Sequence, residues 1–219
     1  MFDRTGYEVI TNTYNLLNGE DFKDPYHPTK FGVGYCGTKY PCDGTRQYHL
    51  WNGMLHRCYG CDYTVANKTY HDVFVEDYLH SYENFYEFVT GIEGFHLGYE
   101  MEKDLLVKNN KLYSRETICF VPKIINVAIQ GGKKRIRDEK EGELPTGVFY
   151  RKDTGKYRAI SGEYGKLKHC GQFDNPVDAF CAYKQSKEAY LKELAIQYKS
   201  TIDKRAFYAL MNYNVEIDD

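Results

Sequence analysis

Basic side chains gather in one stretch of this chain, in a pattern suited to holding a polyanion. Residues 102–170 carry 16 Lys and Arg against 9 Asp and Glu, a balance of +7, while the rest carries 13 against 22, or −9, which together give the net charge of −2. Within the basic stretch, cations alternate in KYR (156–158) and KLKH (166–169) and run together in KKRIR (133–137). Ammonium and guanidinium groups at this density neutralise phosphates and release counterions, so the expected partner is nucleic acid, met by one region of the molecule. The seven cysteines are the other reactive set. Cys58-x-x-Cys61, with Cys36 and Cys42 upstream, can be written as a four-thiolate zinc site. Against that, the upstream pair is separated by five residues, and Cys58 falls on an apolar helical stripe where it acts as a small hydrophobe. The odd count and irregular spacing argue against a disulfide framework.

The elements that must position these groups follow from period and turn chemistry. Residues 1–45 read as a small irregular β-element, with short β-type runs at 7–14 and 31–37 broken by DPYHPT. From Gln47 to Tyr59, the spacing of Leu50, Trp51, Met54, Leu55 and Cys58 predicts an amphipathic helix. A second helix is predicted over 78–91, with Phe85, Phe88 and Val89 inward and Gly91 stopping it. Strand, turn and strand follow at 98–107 and 111–114, and then a helix over 115–130 that Pro122 must kink or restart. The charged stretch 131–146 has no apolar period and reads as a linker. Beyond it, three short strands (147–152, 156–162, 166–173) are separated by Asp153-Thr154-Gly155 and Glu163-Tyr164-Gly165 turns. Asn175-Pro176 starts a helix with a stripe of Val177, Phe180, Tyr183 and Leu191, and a last helix is expected over 203–213.

Length and composition, 219 residues with 42% apolar and 22 tyrosines, support a real core and surfaces where phenol rings meet polar groups. No apolar run approaches the roughly 18 residues needed to span a bilayer. The opening residues MFDRTGYEVI lack the shape of a signal peptide, so a cytoplasmic protein without membrane contact is expected.

Three stretches together resemble one family, the phage-encoded HNH homing endonucleases with a C-terminal AP2-like domain, and the likeness covers nearly the whole chain. LWNGMLHRCY (50–59) with SYENFYEF, and KDPYHPTKFGVGYCG, are similar to the segments these proteins place ahead of the nuclease motif. MEKDLLVKNNKLYSRETICFVPKIIN (101–126) resembles the nuclease core, with Glu102-Lys103 at the usual Asp-His pair, Thr117 at the first asparagine and Asn126 at the second. GVFYRKDTGKYRAISGEYGKLKHCGQFDNPVDAFCAYKQSKEAYLKEL (147–194) looks like an AP2-type sheet of three antiparallel strands backed by a helix.

The resemblance implies an α+β chain: a degenerate ββα-metal, HNH-like core over 46–130, a linker over 131–146, and an AP2-like DNA-binding domain over 147–219 that includes the last helix. It implies a site-specific, metal-dependent endonuclease acting on double-stranded DNA in a phage-infected host cell. Glu102 and Asn126 would offer carboxylate and amide oxygens to Mg²⁺ or Mn²⁺. Lys103 replaces the usual histidine, and an ammonium of unperturbed pKa about 10.4 does not take a proton from water; it suits a phosphate oxygen instead. His96, seven residues upstream, is then the candidate base, and Asp104 is a nearby second carboxylate. The DNA-reading positions matching the pattern are Tyr150, Arg151, Lys152, Lys156, Arg158, Lys166, Lys168 and His169, on a sheet face read as nearly free of acidic partners. Lys133, Lys134, Arg135 and Arg137 of the linker would follow phosphates or the minor groove. The alternative is a DNA-binding protein that keeps the scaffold without catalysis, as a phage regulator or anti-host factor. A protein partner for the acidic N-terminal half is the third reading.

Overall fold

Extended segments of buried β-branched and aromatic residues alternate here with capped amphipathic helices, giving an α+β chain. The computed structural model describes residues 24–67, 70–130 and 144–217. In chain order its elements are α1 (Arg46–Tyr59), α2 (Cys61–Ala66), β1 (Phe74–Val75), α3 (Tyr82–Thr90), β2 (Glu100–Glu102), β3 (Leu112–Tyr113), β4 (Cys119–Val121), α4 (Lys123–Ile129), β5 (Val148–Arg151), β6 (Lys156–Glu163), β7 (Lys166–Phe173), α5 (Pro176–Gln197) and α6 (Lys204–Met211). The described residues up to Gly91, with Lys111–Glu116, form one compact unit; Ile92–Asn110 with those from Thr117 onward form a second.

In the first unit, Thr45 caps α1 by accepting from the Tyr48 amide, and Trp51, Met54, Leu55 and Cys58 face inward at the predicted spacing. The Trp51 indole N–H, fully desolvated, donates to the Leu79 carbonyl at 2.9 Å, which satisfies the one polar atom of that ring. Ser81 caps α3, whose buried residues are Tyr82, Phe85 and Val89; Phe88 is only half-buried, and residues 77–80 form a separate 3-10 turn. The expected strand at 31–37 reduces to two isolated bridges, Lys30 with Gly34 and Tyr35 with Ser81. The run at 7–14 lies outside the described residues.

The second unit corrects the expected hairpin. Residues 98–107 do not pair with 111–114: β2 pairs antiparallel with β4, Glu100 opposite Val121 and Glu102 opposite Cys119, while β3 pairs in parallel with β1 in the first unit. The helix expected over 115–130 begins only at Lys123. Cys119, Phe120 and Val121 are fully buried and extended, and Pro122 disfavours the helical conformation in the residue before it. Strand β2, strand β4 and helix α4 therefore make a strand–strand–helix motif, with an eight-residue turn region (103–110) and a detour through β3 between its strands.

Sheet β5-β6-β7 is antiparallel in that order, as predicted, with a bulge where Ala159 faces Gly171 and Ile160 faces His169. Tyr164 and Gly165 both take positive φ (51° and 74°), the geometry of a tight two-residue hairpin turn. Gly147 enters β5 at φ 75°, where a Cβ would meet the Tyr183 ring at 2.2 Å, so glycine is required. Asn175 caps α5, with Pro176 at its first position.

At 22 residues, α5 is about 33 Å long, and it serves two cores. Its first half, through Ala179, Phe180 and Tyr183, packs under the sheet against Val148 and Ala159. Its second half, through Tyr190, Leu191, Leu194 and Ala195, packs with Cys119, Val121 and Ile125 of the strand–strand–helix motif and with Ala206 and Leu210 of α6. Val177, placed on the stripe by sequence, is exposed instead. One helix thus joins elements on both sides of the charged stretch 131–146 into a single unit.

Candidate functional site

Register and alternation sort the sheet's side chains between two faces. Ala159, fully buried, points at α5, and so therefore do its neighbours of equal parity in β6, Tyr157 and Ser161. The opposite, outer face takes Lys156, Arg158 and Ile160. Cross-strand partners share a face, which adds Arg151 opposite Lys156, Phe149 and Gln172 on either side of Arg158, and His169 opposite Ile160. Leu167, opposite Gly162, also belongs there and is 78% exposed. The outer face is a mixture of cations, an amide, an imidazole and apolar side chains. Such a surface can bond phosphates and base edges while touching sugars and thymine methyls.

Four of the eight predicted DNA-reading positions, Arg151, Lys156, Arg158 and His169, fall on this face. Tyr150, Lys166 and Lys168 belong to the face that carries α5, because they stand opposite Tyr157, Glu163 and Ser161. Lys152 lies in the turn after β5. Lys133, Lys134, Arg135 and Arg137 lie outside the described residues.

The expected scarcity of acidic partners also needs correction. Lys156 pairs with Asp174 at 2.9 Å, Lys168 with Glu163 at 2.9 Å, and Arg151 bonds Asp153, which holds the Asp153 carboxyl down at about 2. The Lys156 and Arg151 pairs are exposed, worth little individually, and exchangeable for phosphate, whereas Glu163 is half-buried. Arg158 differs from them. It sits in the central strand, and its Nε is buried with no hydrogen-bond partner among the described residues. A desolvated donor left unmade costs about 1–3 kcal/mol, which the side chain recovers if it turns outward to meet an acceptor.

The hairpin tip is held by α5. The Tyr164 amide donates to the Tyr190 hydroxyl at 2.9 Å and the Tyr164 hydroxyl donates to Glu193 at 2.8 Å; Glu163 accepts from Ser186 at 2.8 Å. These bonds fix the β6–β7 ribbon without using any outer-face group.

In the strand–strand–helix motif the predicted residues are placed near one another in sequence but employed separately. One Glu102 oxygen accepts the backbone N–H groups of Lys103 (2.9 Å) and Asp104 (2.7 Å), closing the turn after β2. Lys103 is buried; its ammonium bonds the Asp104 carboxylate and the Asn110 carbonyl (2.7 Å), while the Asn110 amide returns a bond to the Lys103 carbonyl. Asn126 donates to Glu100 at 2.5 Å and accepts from Gln130 at 3.2 Å. Thr117 is buried in the turn before β4, not in a helix. His96 is exposed in a single 3-10 turn, its ring edge-on to Phe95 at 5.2 Å. The carboxylate that meets Asn126 is Glu100, two residues before Glu102 on the same face of β2. Parity along that strand is the signal that names it.

Among the described residues, no group of three or more His, Cys, Asp or Glu side chains is placed to share a metal ion. Cys58 is buried in α1 and Cys61 is exposed at the start of α2. No helix among these residues is long and apolar enough to cross a membrane.

Burial raises the Glu102 pKa above its ordinary value, outweighing the two N–H bonds that lower it. An acid raised in the fold stabilises the fold below its unfolded pKa, and that contribution is lost as pH climbs through the folded value. Glu102→Gln is therefore expected to flatten the fall in urea midpoint as pH rises above the ordinary carboxylate range, and to be no less stable than wild type at neutral pH. A variant that unfolds more readily at neutral pH contradicts this. Lys103→Ala removes a buried side chain and its bonds to the half-buried Asn110 carbonyl and the Asp104 carboxylate, so it should cost about 1–3 kcal/mol in urea denaturation while changing duplex affinity by less than about twofold.

No known protein family, no curated protein and no solved structure matches the chain, so its function rests on the chemistry of the sheet face and of the strand–strand–helix motif.

Proposed function

We propose that this chain binds double-stranded DNA through the outer face of β5–β7, in the manner expected of an AP2-like sheet, and that the strand–strand–helix motif serves as a scaffold of HNH type with its catalysis impaired. The observation that carries this is Arg158, central on the sheet, flanked by Phe149 and Gln172, and holding a buried donor with no acceptor among the described residues. Arg151 and Lys156 on the same face supply charge that transfers readily from exposed carboxylates to phosphates. The long helix α5 gives the sheet a rigid backing that a binding surface needs.

The groups that would hold Mg²⁺ in the endonuclease reading do not suit it together. Glu102 spends an oxygen on its own turn and Asn126 is turned to Glu100. The motif's strand–strand–helix order nevertheless favours keeping nicking as the second reading. Supercoiled plasmid incubated with the chain and Mg²⁺ or Mn²⁺ decides between the two. Binding without relaxation of the plasmid is expected. Metal-dependent nicks lost in Glu100→Ala and Asn126→Ala would transfer the assignment to a site-specific DNA endonuclease.

A further inference from the structure

The sheet extends past its charged part, and the extension has a different chemistry. β5 pairs with β6 only from Arg151 opposite Lys156 to Val148 opposite Ala159, and Ile160 still donates to the Gly147 carbonyl at 2.9 Å. From Ser161 to the turn, β6 pairs with β7 alone, so the sheet narrows to a two-stranded ribbon. The outer face changes along the same line. Where three strands lie side by side it carries Arg151, Lys156, Arg158 and Gln172; toward the tip it carries Ile160 beside His169, then Gly162 beside Leu167. Leu167 is the most exposed large apolar side chain among the described residues. A single exposed leucine is ordinary on a protein surface, but its cross-strand partner here is a glycine. The φ of Gly162 lies outside the left-handed region, so the backbone does not demand glycine, and a Cβ built there would meet nothing within 4 Å. Neither strain nor crowding accounts for it; what it provides is bare backbone beside Leu167, open to close approach by another molecule. Glu163, the sole carboxylate in residues 160–169, stands on the α5 side, where it accepts from Ser186 and Lys168. No negative charge from the ribbon itself therefore faces outward.

We propose that this ribbon enters the major groove and that Leu167, beside the bare backbone of Gly162, packs on the 5-methyl group of a thymine, making Leu167 a specificity-determining residue. The inference rests on the DNA-binding reading above and adds what the tip of the sheet selects. A major groove about 12 Å wide admits a two-stranded ribbon, and the thymine methyl is the apolar group on its floor; the minor groove, about 6 Å wide, displays none. Gly162, and with it Leu167, lies four residues along β6 from Arg158, which at about 3.3 Å per residue is roughly 13 Å. At about 3.4 Å of helix axis per base pair, a ribbon lying along the groove sets Leu167 within about four base pairs of the group that Arg158 meets. Charge at one end of the face thus supplies affinity, and an apolar contact at the other supplies choice of base. The bonds of Tyr164 to Tyr190 and Glu193 hold the tip against α5, so little ordering is left to be done on binding.

The test titrates the full chain against two duplex pools amplified from one randomised template, one with dTTP and one with dUTP, which differ only in the thymine methyl. Wild type should bind the thymine pool about threefold more tightly, the scale of one buried methyl group. The ratio should hold between about 50 and about 150 mM salt while both affinities fall, because an apolar contact releases no counterions. Leu167→Ala, which removes no core contact, should bind both pools alike and near the wild-type affinity for the uracil pool. Leu167→Met keeps apolar bulk at the position and should keep the preference. Arg158→Ala should weaken binding to both pools and leave their ratio unchanged, since the two side chains act at separate points. Equal binding of the two pools by wild type overturns the inference while leaving duplex binding intact, and so does a preference that survives in Leu167→Ala. Failure of wild type to bind either pool removes both the inference and the reading beneath it.

Discussion

Replacing Arg158 by alanine is expected to weaken binding of a duplex oligonucleotide by about tenfold to a hundredfold, whereas Lys166→Ala and Lys168→Ala should each change it by less than about threefold. The contrast follows from the sheet's register. Arg158 projects from the outer face with a buried donor that has no acceptor among the described residues, while Lys168 stands on the α5 side and is bonded to Glu163. Composition alone makes the three cations equivalent; only their faces separate them. Arg158→Lys keeps the charge but loses the planar fork, so it should retain affinity for arbitrary sequence better than alanine does and lose any sequence preference. Fluorescence anisotropy with each variant at a single ionic strength measures all of this. Equal losses for the three alanine variants would mean that net charge, rather than the outer face, does the binding.

Leu191→Ala is expected to cost about 2–5 kcal/mol and to loosen the strand–strand–helix motif and the sheet in one transition. Leu191 is fully buried among Tyr190, Leu194 and Ala195 of α5 and residues of β4, α4 and α6. Removing its isobutyl group opens a cavity in the second core of a helix whose first half supports the sheet through Phe180 and Tyr183. Amide hydrogen exchange resolves the question by element: β6 and β7 amides should lose protection together with those of β4 and α4. Sheet amides that keep their wild-type protection would show that the two cores open independently.

Much of this architecture was legible because local signals agreed with the fold. The α1 stripe of Trp51, Met54, Leu55 and Cys58, the Asn175-Pro176 start of α5 and the turns around Gly155 and Gly165 all read correctly, since each rests on a capping bond, a helical period or a positive φ that few residues supply. Strand pairing was less legible. The run 98–114 looks like a hairpin, yet β2 finds its partner at β4, because the fully buried Cys119-Phe120-Val121 offers a better apolar strand than Leu112-Tyr113. Nothing local in β3 announces its pairing with β1.

The candidate site was legible by residue type and only partly by position. Alternation placed Lys156 and Arg158 together, as found. It could not place Lys166 and Lys168, because the bulge at the Ala159–Ile160 step is invisible in a sequence and decides which way β7 presents its side chains. Acidic partners were missed for a related reason. Asp153 and Asp174 flank the strands in sequence and fold back on Arg151 and Lys156. In the strand–strand–helix motif, the residue types pointed to Glu102 with Asn126, while backbone geometry gives Asn126 to Glu100 and consumes Glu102 in its own turn.

The central claim is that a cationic sheet face holds a DNA duplex, and a salt titration of affinity tests it most directly. With Arg151, Lys156 and Arg158 each meeting a phosphate, the logarithm of the association constant should fall linearly with the logarithm of salt concentration, with a slope of about −3, the linker cations making it steeper. No binding of duplex DNA by the full chain at about 50 mM salt, or an affinity that ignores ionic strength, would contradict the account.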